Sequence, residues 1–236
     1  MELRRGSEGR ETPSNESSHG EGSGNGGPLR RVGVFGGSFD PPHAGHLFVA
    51  SQALERAALD QVLFVPAARP PHKLGKLLSP GEARVSLLEV ALGGAPEFCI
   101  EGLELEREGP SYTIDTVRAL LEGLGGRDSV ELFLIIGGDN LQGLGAWREA
   151  EALLELVTPL VIHRGEDLGQ ALDEIEGSLP THLLSKLRRG LLSIEPHPAS
   201  STAIRAMLGR GEDPGGLLPA GCLDVVKEYG LYGYSE

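Results

Sequence analysis

From Leu29 onward the sequence alternates short β-rich runs with segments whose apolar residues recur at helical spacing. That alternation constrains the fold more than any other feature. The most apolar run, VELFLIIGG at 130–138, shows no polar alternation and reads as a central strand covered on both faces. RVGVF (31–35), QVLFVPAA (61–68), FCIEGLEL (98–105), PLVIH (159–163) and LLSIEP (191–196) read as further strands. Between them lie helical patterns: HLFVASQALERAAL (46–59), SPGEARVSLLEVAL (79–92), SYTIDTVRALLEGL (111–124), WREAEALLELV (147–157), SSTAIRAML (200–208) and LPAGCLDVVKEYG (218–230). Ser79 is expected as an N-cap with Pro80 first in the helix and Glu82 third, a capping box. Gly230 is expected to stop the last helix. The fold class that follows is α/β: a Rossmann-like, doubly wound parallel sheet with helices on both faces, in a single domain.

The chain has 236 residues, 39% of them apolar, enough for one such domain over residues 29–236. Residues 1–28, rich in Gly, Ser, Asn and Pro, lack the apolar groups needed to offset ordering entropy and are expected to be a disordered tail. Residues 165–190 read as a polar excursion containing some helix. A formal net charge of −13 argues against a nucleic-acid or anionic-membrane partner. No apolar run approaches the ~18 residues of a membrane span, and the N-terminus lacks the apolar core of a secretory signal, so a cytoplasmic protein is expected. Cys99 and Cys222 are too far apart and too few for a disulfide framework or a metal cluster, and read as reduced core thiols. Oligomeric state is not legible; a homo-oligomer is possible.

In doubly wound sheets ligands bind beyond the carboxyl ends of the strands. The chemistry-bearing residues all follow strands: Gly36 to His46, Pro71 to Lys73, Gly137 to Asn140, and Ser200 to Arg205. GGSF is a tight strand-to-helix turn whose N–H groups suit an anion. It is neither Gly-x-x-x-x-Gly-Lys-Ser/Thr nor Gly-x-Gly-x-x-Gly, which sets aside P-loop and dinucleotide-fingerprint readings. Asp40 and Pro41 are placed to start the next helix as N-cap and first residue. His43 and His46 then share a face, with Gly45 leaving room for a ligand. Such a pair can donate to phosphate oxygens or bind zinc; no third ligand of zincin spacing follows. SST is by itself an ordinary N-cap, Arg205 an ordinary helix residue, and Asp139 an ordinary cap.

GGSFDPPHAGHL resembles the signature of the nucleotidyltransferase superfamily that carries His-x-Gly-His, and ASSTAIR (199–205) resembles its second motif, with Ala199 in place of the usual Ile. PPHK (70–73), PSYT (110–113), GGDNLQGLGAW (137–147) and HRG (163–165) narrow the likeness to bacterial nicotinate-nucleotide adenylyltransferases, over roughly residues 30–233. The resemblance implies adenylyl transfer from ATP to nicotinate mononucleotide, with in-line attack and no covalent intermediate. It implies His43, His46 and Arg205 as catalytic residues. Gly36, Gly37, Ser38, Phe39, Gly137, Asp139, Ser200, Ser201 and Thr202 would hold ATP, Asp139 through a ribose hydroxyl. Lys73, Tyr112, Thr113 and Trp147 would hold the acceptor, Trp147 by stacking on the pyridine and the SYT N–H groups by binding its carboxylate. Lys73 either attracts phosphate or borders a loop; Arg164 lies near adenine or faces water; His72 has no assigned role; His163, His182 and His197 are structural or surface. Mg²⁺ would be carried mainly by ATP. The nearest alternatives are a pantetheine-phosphate adenylyltransferase, a glycerol-phosphate cytidylyltransferase, or a nucleotide sensor without chemistry.

Overall fold

The computed structural model describes residues 29–69, 77–163, 172, 173 and 175–235. Six strands form one sheet: β1 (Arg30–Gly37), β2 (Gln61–Pro66), β3 (Phe98–Ile100), β4 (Val130–Gly137), β5 (Thr158–His163) and β6 (Leu191–Ser193). Their order is β3-β2-β1-β4-β5-β6 and every pairing is parallel. The chain runs outward from β1 in one direction and, after β3, outward from β4 in the other. The reversal between β1 and β4 is the topological switch point of a doubly wound sheet.

Strand alternation distributes the core to both faces. Leu132, Leu134 and Ile136 of β4 join one apolar cluster, and Phe133 and Ile135 join the other. The first cluster is closed by α3 (Thr113–Gly123), α4 (Ala150–Leu156) and α5 (Thr181–Arg189), the second by α1 (Ala44–Arg56) and the end of α2 (Gly81–Leu92). Gly33 occupies the β1 position facing the second cluster; a Cβ there would lie 2.9 Å from the Leu59 side chain. A third cluster joins α2 to α6 (Ser201–Leu208) and α7 (Cys222–Glu228), through Leu87, Ile204, Leu208, Cys222 and Val226. It fastens the C-terminal segment beside the switch point.

The boundaries depart from expectation in informative ways. Strand β3 spans three residues; the Glu101 N–H still donates to the Phe64 carbonyl of β2 at 2.9 Å, and the chain then turns at 103–105. Helix α2 begins one residue late: Pro80 is the N-cap and no side chain caps the turn. Ser79 is used elsewhere, its N–H donating to Asp40 at 3.2 Å and its carbonyl accepting from Arg84 at 3.0 Å. Helix α7 ends at Glu228 with Tyr229 as its C-cap, and Gly230 follows at φ +60° as the left-handed stop expected of it. The excursion before β6 does hold a helix, α5. Cys222 is buried and Cys99 half-buried, both free thiols, and burial pushes Cys222 up to about 12. The tail at 1–28, Lys73 with His72, and Arg164 lie outside the described residues.

Candidate active site

A cavity of about 410 Å³ opens at the switch point, between the carboxyl ends of β1 and β4. Gly36, Gly37 and Ser38 form one wall, Gly137 and Asp139 another, and His46 reaches it from α1. Tyr112, Thr113, Trp147 and Arg148 line the far end. A Cβ on Gly36 would meet nothing within 4 Å, so the backbone itself borders the space. At Gly37 a Cβ would lie 2.8 Å from the buried Phe39 ring, so a larger residue there would force that ring to shift.

The turn after β1 is shaped by Phe39, which holds φ 47° with its ring buried in the core. That ring packs edge-on against the His46 imidazole, centroids 5.0 Å apart. Helix α1 begins later than expected. Its N-cap is His43, not Asp40, and His43 and His46 form a reciprocal capping box. The His46 N–H donates to Nδ1 of His43 at 3.3 Å, and the His43 N–H donates to Nδ1 of His46 at 3.2 Å. The rings stack with centroids 3.7 Å apart. Because each Nδ1 accepts a backbone proton, this hydrogen-bond network assigns the neutral ring proton to Nε2 on both. In that tautomer each imidazole carries its N–H donor at Nε2. Gly45 makes the stack possible: a Cβ there would sit 3.1 Å from Nδ1 of His43 and 3.3 Å from the Ala199 carbonyl.

Asp40, displaced from the cap, is a buried junction instead. Its Oδ1 accepts from the Tyr232 hydroxyl at 2.7 Å and its Oδ2 from the Ser79 N–H at 3.2 Å. Burial, then the Asp40 carboxylate, pushes the Tyr232 phenol far up, so it remains a donor. The Asp40 carbonyl accepts from Nη1 of Arg205 at 2.6 Å, and the Pro41 carbonyl from Ser201 Oγ at 3.0 Å. Fully buried Arg84 donates to the Ser38 carbonyl at 2.8 Å; burial lowers its pKa while Asp40 and Tyr232 pull the other way. Ser200 is the N-cap of α6, accepting from the Ala203 N–H at 3.2 Å, and Thr202 Oγ1 accepts from Nη2 of Arg205 at 3.4 Å. Thus the histidine loop and the α6 start, more than 150 positions apart in sequence, are joined by direct hydrogen bonds.

Residues 34–207 match the family model described as cytidylyltransferase-like. The probable nicotinate-nucleotide adenylyltransferase of Thermus thermophilus is 41% identical over 202 residues, covering 86% of this chain and 99% of that protein. That of Geobacillus thermodenitrificans is 37% identical over 206 residues, covering 87% of each. The chain belongs to the nicotinate-nucleotide adenylyltransferase family. Among solved structures it is similar to Plasmodium falciparum nicotinic acid mononucleotide adenylyltransferase complexed with NaAD, with TM-score 0.67, 18% identity, and 87% of this chain and 98% of that one covered. At that identity the likeness speaks for the fold.

The residues expected to act in this family member divide into two groups. Gly36, Gly37, Ser38, His46, Tyr112, Thr113, Gly137, Asp139 and Trp147 line the cavity. His43, Ser200, Ser201, Thr202 and Arg205 lie along the adjoining loop-to-α6 junction rather than on the cavity wall. Phe39 contributes its backbone turn and a buried ring. Trp147 is half-buried, packed against the core on one side and lining the cavity on another. Tyr112 is the N-cap of α3, and the Arg148 guanidinium lies 4.7 Å over its ring. His182 pairs with Glu155 at the surface, and His197 accepts from the Ala199 N–H, so both are structural.

Sequence reasoning passed over Asp40 as a junction, Arg84, Tyr232, Glu104, Thr116 and Arg148, and of the SYT N–H groups it singled out, that of Ser111 donates to the Arg69 carbonyl at 3.0 Å. Charged residues within helical patterns, such as Arg84 in SPGEARVSLL, carry no local sign that they are buried. No described helix is long and apolar enough to cross a membrane. Among the described residues, no three His, Cys, Asp or Glu side chains gather into a group able to hold a metal ion.

Proposed function

We propose that this enzyme transfers the adenylyl group of ATP to nicotinate mononucleotide, giving nicotinate adenine dinucleotide and pyrophosphate, a step of NAD biosynthesis in the cytoplasm. The observation that carries the reading is the junction of the two phosphate motifs. Two stacked imidazoles and one guanidinium sit on a loop and a helix start that hydrogen-bond to each other. One triphosphate can then meet all three.

A phosphate oxygen of the mononucleotide attacks the α-phosphorus of ATP in line. A new P–O bond forms as the bond to the bridging α–β oxygen breaks, and that electron pair leaves with pyrophosphate. No side chain becomes covalently bound, so the protein contributes position and charge stabilisation. His43 and His46 donate to the phosphates from Nε2. Arg205 holds the departing pyrophosphate, for which a planar guanidinium fork is suited. Thr202 adds its hydroxyl and the α6 start its N–H groups, while Ser200 caps that helix and the Ser201 hydroxyl is engaged by the Pro41 carbonyl. ATP enters as its Mg²⁺ complex, and no step depends on a metal cage in the chain. Asp139 accepts from an adenosine ribose hydroxyl. Gly137 lets the ribose approach the backbone.

The acceptor end follows from chemistry of the same kind. The Trp147 face suits a pyridinium ring. The N–H groups at the start of α3, near Tyr112 and Thr113, suit a carboxylate, which favours the acid over the amide. Lys73 is assigned to attract the acceptor phosphate. The test is pyrophosphate release from ATP with nicotinate mononucleotide, nicotinamide mononucleotide or phosphopantetheine. The acid is expected to give the highest kcat/KM. Turnover with phosphopantetheine alone would overturn the acceptor assignment, and equal kcat/KM for acid and amide would remove the role given to the α3 N–H groups.

A further inference from the structure

The cavity wall contains a carboxyl group that the adenylyl-transfer chemistry leaves without a task. Glu104 follows β3, is 7% exposed, and lines the cavity beside Ser111, Tyr112, Thr113 and Thr116. A buried carboxyl at an anion-binding helix start calls for an explanation, since its charge would oppose an anionic acceptor.

Its hydrogen bonds supply one. Thr116 Oγ1 donates to Glu104 Oε1 at 2.6 Å, while the alternative acceptor, the Tyr112 carbonyl, is 3.4 Å away. Ser111 Oγ accepts from the N–H groups of Ala68 at 3.1 Å and Arg69 at 3.2 Å. Ser111 N–H also donates to the Arg69 carbonyl at 3.0 Å. Ser111 is thus fastened to the segment after β2 by its own bonds, and Glu104, on the segment after β3, holds the first turn of α3 through Thr116. Between these two anchors lie Tyr112 and Thr113. Burial raises the Glu104 pKa, against the opposing pull of Thr116, Ser111 and Arg107, which lessens its charge beside the α3 N-terminus.

We propose that Glu104 is a positioning residue that sets acceptor affinity, holding the first turn of α3 through Thr116 so that the α3 N–H groups meet the acceptor's carboxylate. The proposal rests on the function given above. Glu104 acts through Thr116 and does not touch the reacting phosphorus. Its loss therefore shows in KM for the acceptor, whereas ATP binding at Gly36–Ser38 and Asp139 is spared.

Steady-state kinetics on the full chain test this, using Glu104→Leu, Thr116→Val and Thr116→Ser. Glu104→Leu and Thr116→Val are each expected to raise KM for nicotinate mononucleotide by about tenfold or more, with KM for ATP and kcat within about threefold of wild type, the scale of one unpaired buried polar group. Thr116→Ser, which keeps the hydroxyl, is expected to behave as wild type. An unchanged acceptor KM in Thr116→Val, or a parallel rise in KM for ATP, would overturn the proposal. If Glu104→Leu does not fold, the nearly isosteric Thr116→Val decides alone. If the wild-type enzyme turns over a different acceptor instead, the function given above fails, and the same KM comparison made with that acceptor still decides the role of Glu104.

Discussion

At the scale of single residues, the site depends on groups whose backbone and side chain both have tasks. His43 and His46 cap their own helix, and that capping occupies Nδ1 of each ring. His46→Ala is expected to lower turnover by about 10²-fold, the loss typical of one preorganised donor, measured as pyrophosphate release; near-normal turnover would remove the role assigned to it. Gly45→Ala places a methyl 3.1 Å from the His43 ring and 3.3 Å from the Ala199 carbonyl. The stack must shift, so kcat is expected to fall by about tenfold or more while the melting temperature moves little, because a misplaced donor costs rate before it costs stability. Tyr232→Phe leaves the buried Oδ1 of Asp40 without its 2.7 Å donor. Denaturant unfolding is expected to show a loss of about 1–3 kcal/mol. The histidine pair was legible in the sequence because its spacing is local. The tasks of Asp40 and Tyr232 were not, since their bond spans 192 positions and no local pattern announces it.

At the scale of elements, strands were read more surely than helix starts. β4 was evident because a strand covered on both faces needs an unbroken apolar run. Its Leu134 is buried among the residues of the first cluster, and Leu134→Ala is expected to cost about 2–5 kcal/mol in denaturant unfolding. Helix starts were misplaced where a cap residue had a better use in three dimensions. Asp40 and Ser79 both look like N-caps, yet they bond to each other across the junction. Local capping is worth about 1 kcal/mol, which a buried carboxylate's need for donors exceeds. Ser200, by contrast, caps α6 as its sequence suggests. Ser200→Ala is expected to lower stability by about 0.5–2 kcal/mol.

At the scale of the whole molecule, the strand order explains why distant motifs share one place. β1 and β4 are neighbours although about a hundred residues separate them, and their carboxyl ends supply the glycines on two sides of the cavity. The α/β class and the site's position at the strand ends were readable from the alternation. The strand order and the route of the C-terminal segment back to Asp40 come from packing between distant elements. Removing residues 1–28 is expected to leave pyrophosphate release and melting temperature almost unchanged; a large loss of either would make that segment part of the domain. The central claim is that the loop at 43–46 and the helix start at 200–205 act on one triphosphate. A double-mutant cycle with His46→Ala and Arg205→Ala, read as kcat for pyrophosphate release, tests it most directly. Groups acting together are strongly non-additive, so the double variant is expected to lose no more than about tenfold beyond the worse single variant; losses that simply multiply would contradict the account.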